Sequence, residues 1–174
     1  EKAIQHTEDA IKNYGVYIRE VQDELLAVQA LKDQLAAIDN LSTFYQYRGR
    51  QKRSLELIRY SYSKKQEIYE ANNLNIIISL IIMAGSERSN LLEEEAEQHL
   101  LEALDLISGR DDLNPYWEGT ALKELANIYE FQNKYAEAEK YHIKAEEVLR
   151  KFSGGNYTVD LQNDLMKISL FYAR

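Results

Sequence analysis

Nine small residues recur at a fixed spacing, and no other feature of the chain restricts its fold as much. Ala126 is followed by Ala138 and Ala145. Stepping back 42 residues gives Ala84, Ala96 and Ala103, and a second such step gives Ser42, Ser54 and Ser61. Large apolar residues keep the same period. Ile38, Leu80 and Leu122 align, as do Leu41, Met83 and Leu125. Tyr45 and Tyr129 align as well, with Glu87 the exception between them. Self-similarity over a few tens of residues marks a repeat architecture, in which one supersecondary unit stacks on the next. A small residue on one helix lets a second, antiparallel helix cross it closely, and large flanking residues fill the gap to the next pair. One such pair cannot bury its own apolar face, whereas stacked pairs can.

The units are helical. Ala, Leu, Glu, Lys and Gln, all good helix formers, dominate the long stretches between glycines. No stretch sustains the alternation of apolar and polar residues that marks strands. Helices are expected near 2–31, 33–48, 52–71, 73–86, 91–108, 115–131, 135–152 and 158–173. The first carries Ile4, Ile11, Tyr14, Ile18, Val21, Leu25 and Val28 at steps of three, four and seven, a stripe close to a heptad. The only proline, Pro115, follows Asn114, and the pair reads as an N-cap with proline at the first helical position. Turns are expected at RGR, GSERSN, GRDDLNP, FQNK and SGGN. The apolar run LNIIISLIIMAG, from Leu74 to Gly85, is too short for a bilayer and reads as a buried helix.

The strongest unit reads Leu125-Ala126, Tyr129, Gln132-Asn133, Tyr135, Glu137-Ala138, Ala145. This L-A-x-x-Y, Q-N-x-Y-x-E-A, A arrangement resembles the tetratricopeptide repeat. The 42-residue period resembles the longer repeats of kinesin light chain and related bacterial proteins. The resemblance covers about residues 34–174. It implies an all-α fold, a right-handed α-solenoid of about three helix pairs with a leading and a final helix. Residues 1–33 are expected to be an N-terminal amphipathic helix, a cap or a linker from an upstream region. The array is expected over 34–174, in units of about 35–72, 73–113 and 114–156 with a final helix over 157–174. Leu165, Ile168, Ser169 and Tyr172 begin that last unit. The turn GSERSNLLEEE departs from the pattern and suggests a shortened or distorted first helix in the middle unit.

Little in the sequence points to chemistry. There is no cysteine, which removes disulfides, thiolate nucleophiles and Cys-ligated zinc. The three histidines, His6, His99 and His142, lack a metal-binding spacing such as HExxH. His142 stands where the other repeats carry Ile58 and Leu100, which suits packing. The run Glu93, Glu94, Glu95, Glu97 suits the positive end of a helix better than acid–base work. No phosphate-binding glycine loop or serine nucleophile elbow is present. The expectation is a non-enzyme without cofactor or metal. A net charge of -8 argues against direct nucleic-acid contact. A basic segment, YRGRQKRSLELIRYSYSKK, contrasts with that charge and could meet an acidic partner or an acidic surface of the same protein. The polar first residues are not a signal peptide, and a cytoplasmic setting is expected.

The resemblance further implies a protein or peptide partner on the concave face, lined mainly by the first helix of each pair. Carried over, the candidate residues are Asp39, Thr43, Gln46 and Tyr47, then Ile81 and Arg88, then Lys123, Asn127, Glu130 and Phe131, then Met166 and Leu170. Asn127 could bond a peptide backbone, while Tyr47 and Phe131 could take an apolar anchor. The alternative is a sensor or regulatory domain of a larger bacterial signalling or transcription-regulating protein. The apolar stripe over residues 4–28 leaves self-association open.

Overall fold

The computed structural model describes residues 2–153. Its elements are α1 (Lys2–Glu20), α2 (Glu24–Tyr47), α3 (Gln51–Ile68), α4 (Leu74–Arg88), α5 (Glu93–Ile107), α6 (Pro115–Phe131) and α7 (Tyr135–Ser153). No strand occurs among the described residues. The helix and residues expected at 158–173, with Met166 and Leu170, lie outside them.

The chain divides into two compact units, residues 1–96 and 97–174. In the first, α2 packs against α1 and α3, and α4 against α3. In the second, α6 and α7 form an antiparallel pair.

The small residues sit where the period puts them. All nine have zero exposure. In the first unit the contact is visible atom by atom. Ser42 Oγ donates to the Ser54 carbonyl at 2.9 Å, the Ser54 and Ser86 hydroxyls lie 2.8 Å apart, and Ser61 Oγ donates to the Leu35 carbonyl at 3.3 Å. Serine there does what alanine does elsewhere, because each hydroxyl finds a partner and leaves no unsatisfied polar atom. In the second unit α7 packs close against α6 at Gly119. A Cβ there would meet Leu149 Cγ and Cδ2 at 2.6 Å, so a larger residue would force Leu149 to move. Ile38, Leu41, Leu80, Met83, Leu122 and Leu125 are all buried.

The turns carry the period as firmly as the cores. Gly49, Leu91 and Asn133 have positive φ of 73°, 61° and 59°. Arg50 N donates to the Tyr45 carbonyl at 2.9 Å, Leu92 N to Glu87 at 3.0 Å and Lys134 N to Tyr129 at 2.8 Å. Each is the six-to-one bond of a left-handed helix C-terminus. Glycine and asparagine are the residues that enter this region readily, and Leu91 is not. The middle turn therefore keeps the geometry of its neighbours despite its sequence. The first helix of the middle unit is shortened, as GSERSNLLEEE suggests, without distortion of its turn: α4 has 15 residues against 24 in α2 and 17 in α6, and ends at Arg88, one residue short of the positions equivalent to the ends of α2 and α6.

The start of the chain differs from expectation. The helix expected over 2–31 is broken at residues 21–23, and α2 runs unbroken past Lys32 and across the boundary drawn at 33/34. Asp23 is the reason. Its carboxylate accepts from Leu25 N at 2.9 Å and Leu26 N at 3.1 Å, and Glu24 follows in the first turn. The stripe is thus shared between two antiparallel helices. Ile4, Ile11, Tyr14 and Ile18 are half-buried on α1, while Leu25 and Val28 are exposed at the start of α2.

The other caps match the sequence. Asn114 accepts from Tyr116 N at 2.9 Å with Pro115 leading α6, and Glu93, Glu94 and Glu95 occupy the first turn of α5. The apolar run over 74–85 forms most of α4, which is buried along nearly its whole length. No helix among the described residues is long and apolar enough to cross a membrane.

Candidate binding surface

The candidate residues fall into two groups. In the first unit, α2 carries Asp39, Thr43, Gln46 and Tyr47. Asp39 does not reach the surface. It is buried against Lys65 of α3 and Ser79 of α4. Lys65 Nζ pairs with Asp39 Oδ2 and donates to Ser79 Oγ at 2.9 Å, and Ser79 Oγ lies 3.3 Å from the same Asp39 oxygen. The cluster ties three helices together, and a buried carboxylate and ammonium are tolerable only because they pair. Helical periodicity places Asp39 near Thr43 and Gln46, but it says nothing about the lysine on the facing helix. Ile81 is buried too and serves the core of α4. Neither Asp39 nor Ile81 presents its side chain to a partner.

The remaining residues of the first unit are more accessible. Thr43 is half-buried, and its hydroxyl bonds back to the Asp39 carbonyl at 3.1 Å. Gln46 is half-buried beside Gly85, with Nε2 donating to Ser89 Oγ at 3.4 Å. A Cβ on Gly85 would meet that same amide nitrogen at 3.2 Å, so α4 leaves room for the glutamine. Tyr47 stands out at 85% exposure, and Arg88 is half-buried.

In the second unit, Lys123, Asn127 and Glu130 are half-buried along one face of α6, and Phe131 ends the helix at 62% exposure. Their spacing of four and three puts the first three on a single stripe. The opposite face holds Leu122, Leu125, Ala126 and Tyr129 in the core.

Three other polar groups explain themselves as structure. Tyr45 donates to Glu8 of α1 at 2.5 Å, and Tyr129 donates to Glu97 of α5 at 2.7 Å. The bond to Glu8, helped by burial, pushes the Tyr45 phenol above its ordinary value; burial and then the Glu97 bond push Tyr129 up further. Glu87, the exception in the alignment, sits at the equivalent place on α4 and supplies the carboxylate itself. It is fully buried and meets Arg59 of α3 at 3.0 Å. In all three cases the residue on the first helix of a pair bonds to the helix before it. His142 is buried, and burial pushes its imidazole below 6.5 against the opposing charge of Glu130. It fills the place of Ile58 and Leu100, both fully buried. Among the described residues, no group of three or more His, Asp or Glu side chains is arranged to hold a metal ion.

Solved structures with this architecture are repeat proteins. BtubC (BKLC) from P. vanneervenii matches with a TM-score of 0.72 and 18% identity over 99% of this chain. The TPR-like repeats of a kinesin light chain-type protein from Podosopora anserina match at 0.65 and 15% over 80%. The fold is that of a tetratricopeptide array. The apo form of RapI matches this array at 0.66 and 16% over 97% of the chain. The array spans 65%, 65% and 63% of those three structures, respectively. No family model matches the sequence, and no curated protein does.

Proposed function

We propose that this tetratricopeptide array is a non-catalytic interaction module that holds an extended or helical segment of a partner protein on the exposed face of its first-of-pair helices. The observation that carries the reading is the α6 stripe, where Lys123, Asn127 and Glu130 run beside exposed Phe131 and opposite a complete core. An amide and two opposite charges suit a peptide backbone and its side chains, and an exposed aromatic suits an apolar anchor. The solenoid likeness supports it, because stacked helix pairs present extended surfaces.

Affinity capture from the native lysate followed by calorimetry with the captured partner tests the reading. Lys123→Glu with Asn127→Ala is expected to weaken the complex about tenfold or more, with helicity unchanged. An unchanged complex refutes the α6 face as the binding surface.

A second reading is a sensory or regulatory domain of a larger bacterial signalling or transcription-regulating protein, motivated by the 42-residue period and the helix α1 that leads the array. It requires a DNA-binding or kinase domain elsewhere in the full gene. A full-length sequence without one removes it.

A further inference from the structure

Helices α1 and α2 leave a hollow of about 590 Å³ between them, near the end where they are joined. Its lining includes two small residues, Ala10 and buried Ala30, and two large apolar ones, Tyr17 and Leu26, both exposed. Leu25, next to Leu26, is exposed as well. The lining holds one formal charge, Asp33, whose carboxylate accepts from Gln29 Nε2 at 3.0 Å. In a chain with 29% charged residues this face is nearly neutral. The repeat also gives α1 a place. Tyr45 bonds to Glu8 of α1 as Tyr129 bonds to Glu97 of α5, so α1 corresponds to the second helix of a pair. In that register Tyr14 stands where α3 carries Ser61, which meets the first helix of its pair at the Leu35 carbonyl. Tyr14 lines the hollow. The hollow therefore opens on the side of α1 where the repeat seats another helix.

We infer that the α1–α2 hollow is the docking surface for a second copy of this chain, and that two copies pair through it as a symmetric dimer. A two-fold interface must be self-complementary, so one patch has to supply both the projection and the recess. This face supplies both. Tyr17 and Leu26 of each copy enter the hollow of the other and pack over its small residues, as knobs into holes. Charge points to the same occupant. Each copy carries -8, and two such chains repel unless the touching faces are close to neutral. The hollow brings only one carboxylate per copy to the contact. This surface goes beyond the α6 face and does not depend on it.

Sedimentation velocity on the whole chain tests this, from about 1 μM to about 1 mM, the range over which contacts of modest affinity saturate. The mass is expected to rise from one chain to two and stop there, because an isologous interface closes on itself. Added salt should tighten the dimer, since it screens the repulsion between two acidic chains. Leu26→Glu should leave a single chain at every concentration. Leu26→Ala keeps the face neutral and should weaken pairing about tenfold. Circular dichroism should show both variants fully helical. Lys123→Glu with Asn127→Ala should pair as the native chain does. A single native chain at every concentration would assign the face to another occupant and overturn the proposal. So would growth beyond two chains, weakening by salt, pairing by Leu26→Glu, or an equal loss in the α6 variant.

Discussion

Leu91 offers the sharpest test of the repeat in the folded protein. Its φ of 61° lies in the left-handed region, where Gly49 and Asn133 sit one period away on either side. A side chain with a Cβ loses roughly 1–2 kcal/mol in that region through its clash with the following carbonyl. Leu91 is 70% exposed, so replacing it forfeits little burial. Glycine relieves the clash but brings about 0.5–1 kcal/mol of extra unfolded-state entropy. Leu91→Gly should therefore stabilise the chain by about 0.5–1 kcal/mol, and Leu91→Asn by a similar amount because asparagine tolerates the same conformation. The reverse change, Gly49→Leu, meets no atom within 4 Å of its new Cβ, so its effect is a backbone effect alone. It should destabilise by about 0.5–1 kcal/mol. Urea unfolding followed by circular dichroism reads both, and the melting temperature should move by about 2–4 °C per kcal/mol for a chain of this length. Destabilisation by both Leu91→Gly and Leu91→Asn would refute the reasoning. It would mean either that the middle turn is not left-handed or that the leucine makes contacts worth more than the strain.

Two further outcomes follow from the buried polar groups. Lys65→Met strands the Asp39 carboxylate in the core and should cost about 3–5 kcal/mol, while Lys65→Met with Asp39→Leu should recover most of that loss. A single substitution as mild as the double one in chemical unfolding would mean that the pair is solvated. The His142 imidazole has a folded pKa below its unfolded value of 6.5, so the folded state favours the neutral ring. Its contribution to stability is complete above about pH 6.5 and is lost as pH falls through that value toward the lower folded one. His142→Leu should therefore lose less stability than the native chain between about pH 7.5 and pH 5, and parallel pH profiles would contradict the burial argument.

Much of the fold was legible because helix packing leaves a periodic imprint. Small residues are required wherever two backbones cross closely, and nine positions at one period revealed the crossings before any coordinate did. The Asn114-Pro115 start of α6 was legible for a local reason, since a cap and its helix are contiguous in sequence. The break at Asp23 was as local, but it carries no glycine or proline, and an Asp-Glu pair before two leucines is also ordinary inside a surface helix. The continuing heptad-like stripe made one long helix look more economical than two.

The candidate surface divides along the same line. Periodicity within one helix decides which residues share a face, and it placed Lys123, Asn127 and Glu130 together on α6, opposite the core. It cannot decide what comes to meet that face. Asp39 is removed from the surface by Lys65, which lies 26 residues away on another helix, and Glu87 ceases to be an exception once Arg59 stands opposite. Leu91 takes up a glycine's conformation because the pairs on either side of the turn fix where the chain must reverse. The sequence by itself determined the helices from α3 to α7, the period and the small residues at the crossings, all set by local propensity and steric need. Only the tertiary structure decided which charged residues are inside, because burial of a charge depends on the partner that another segment delivers.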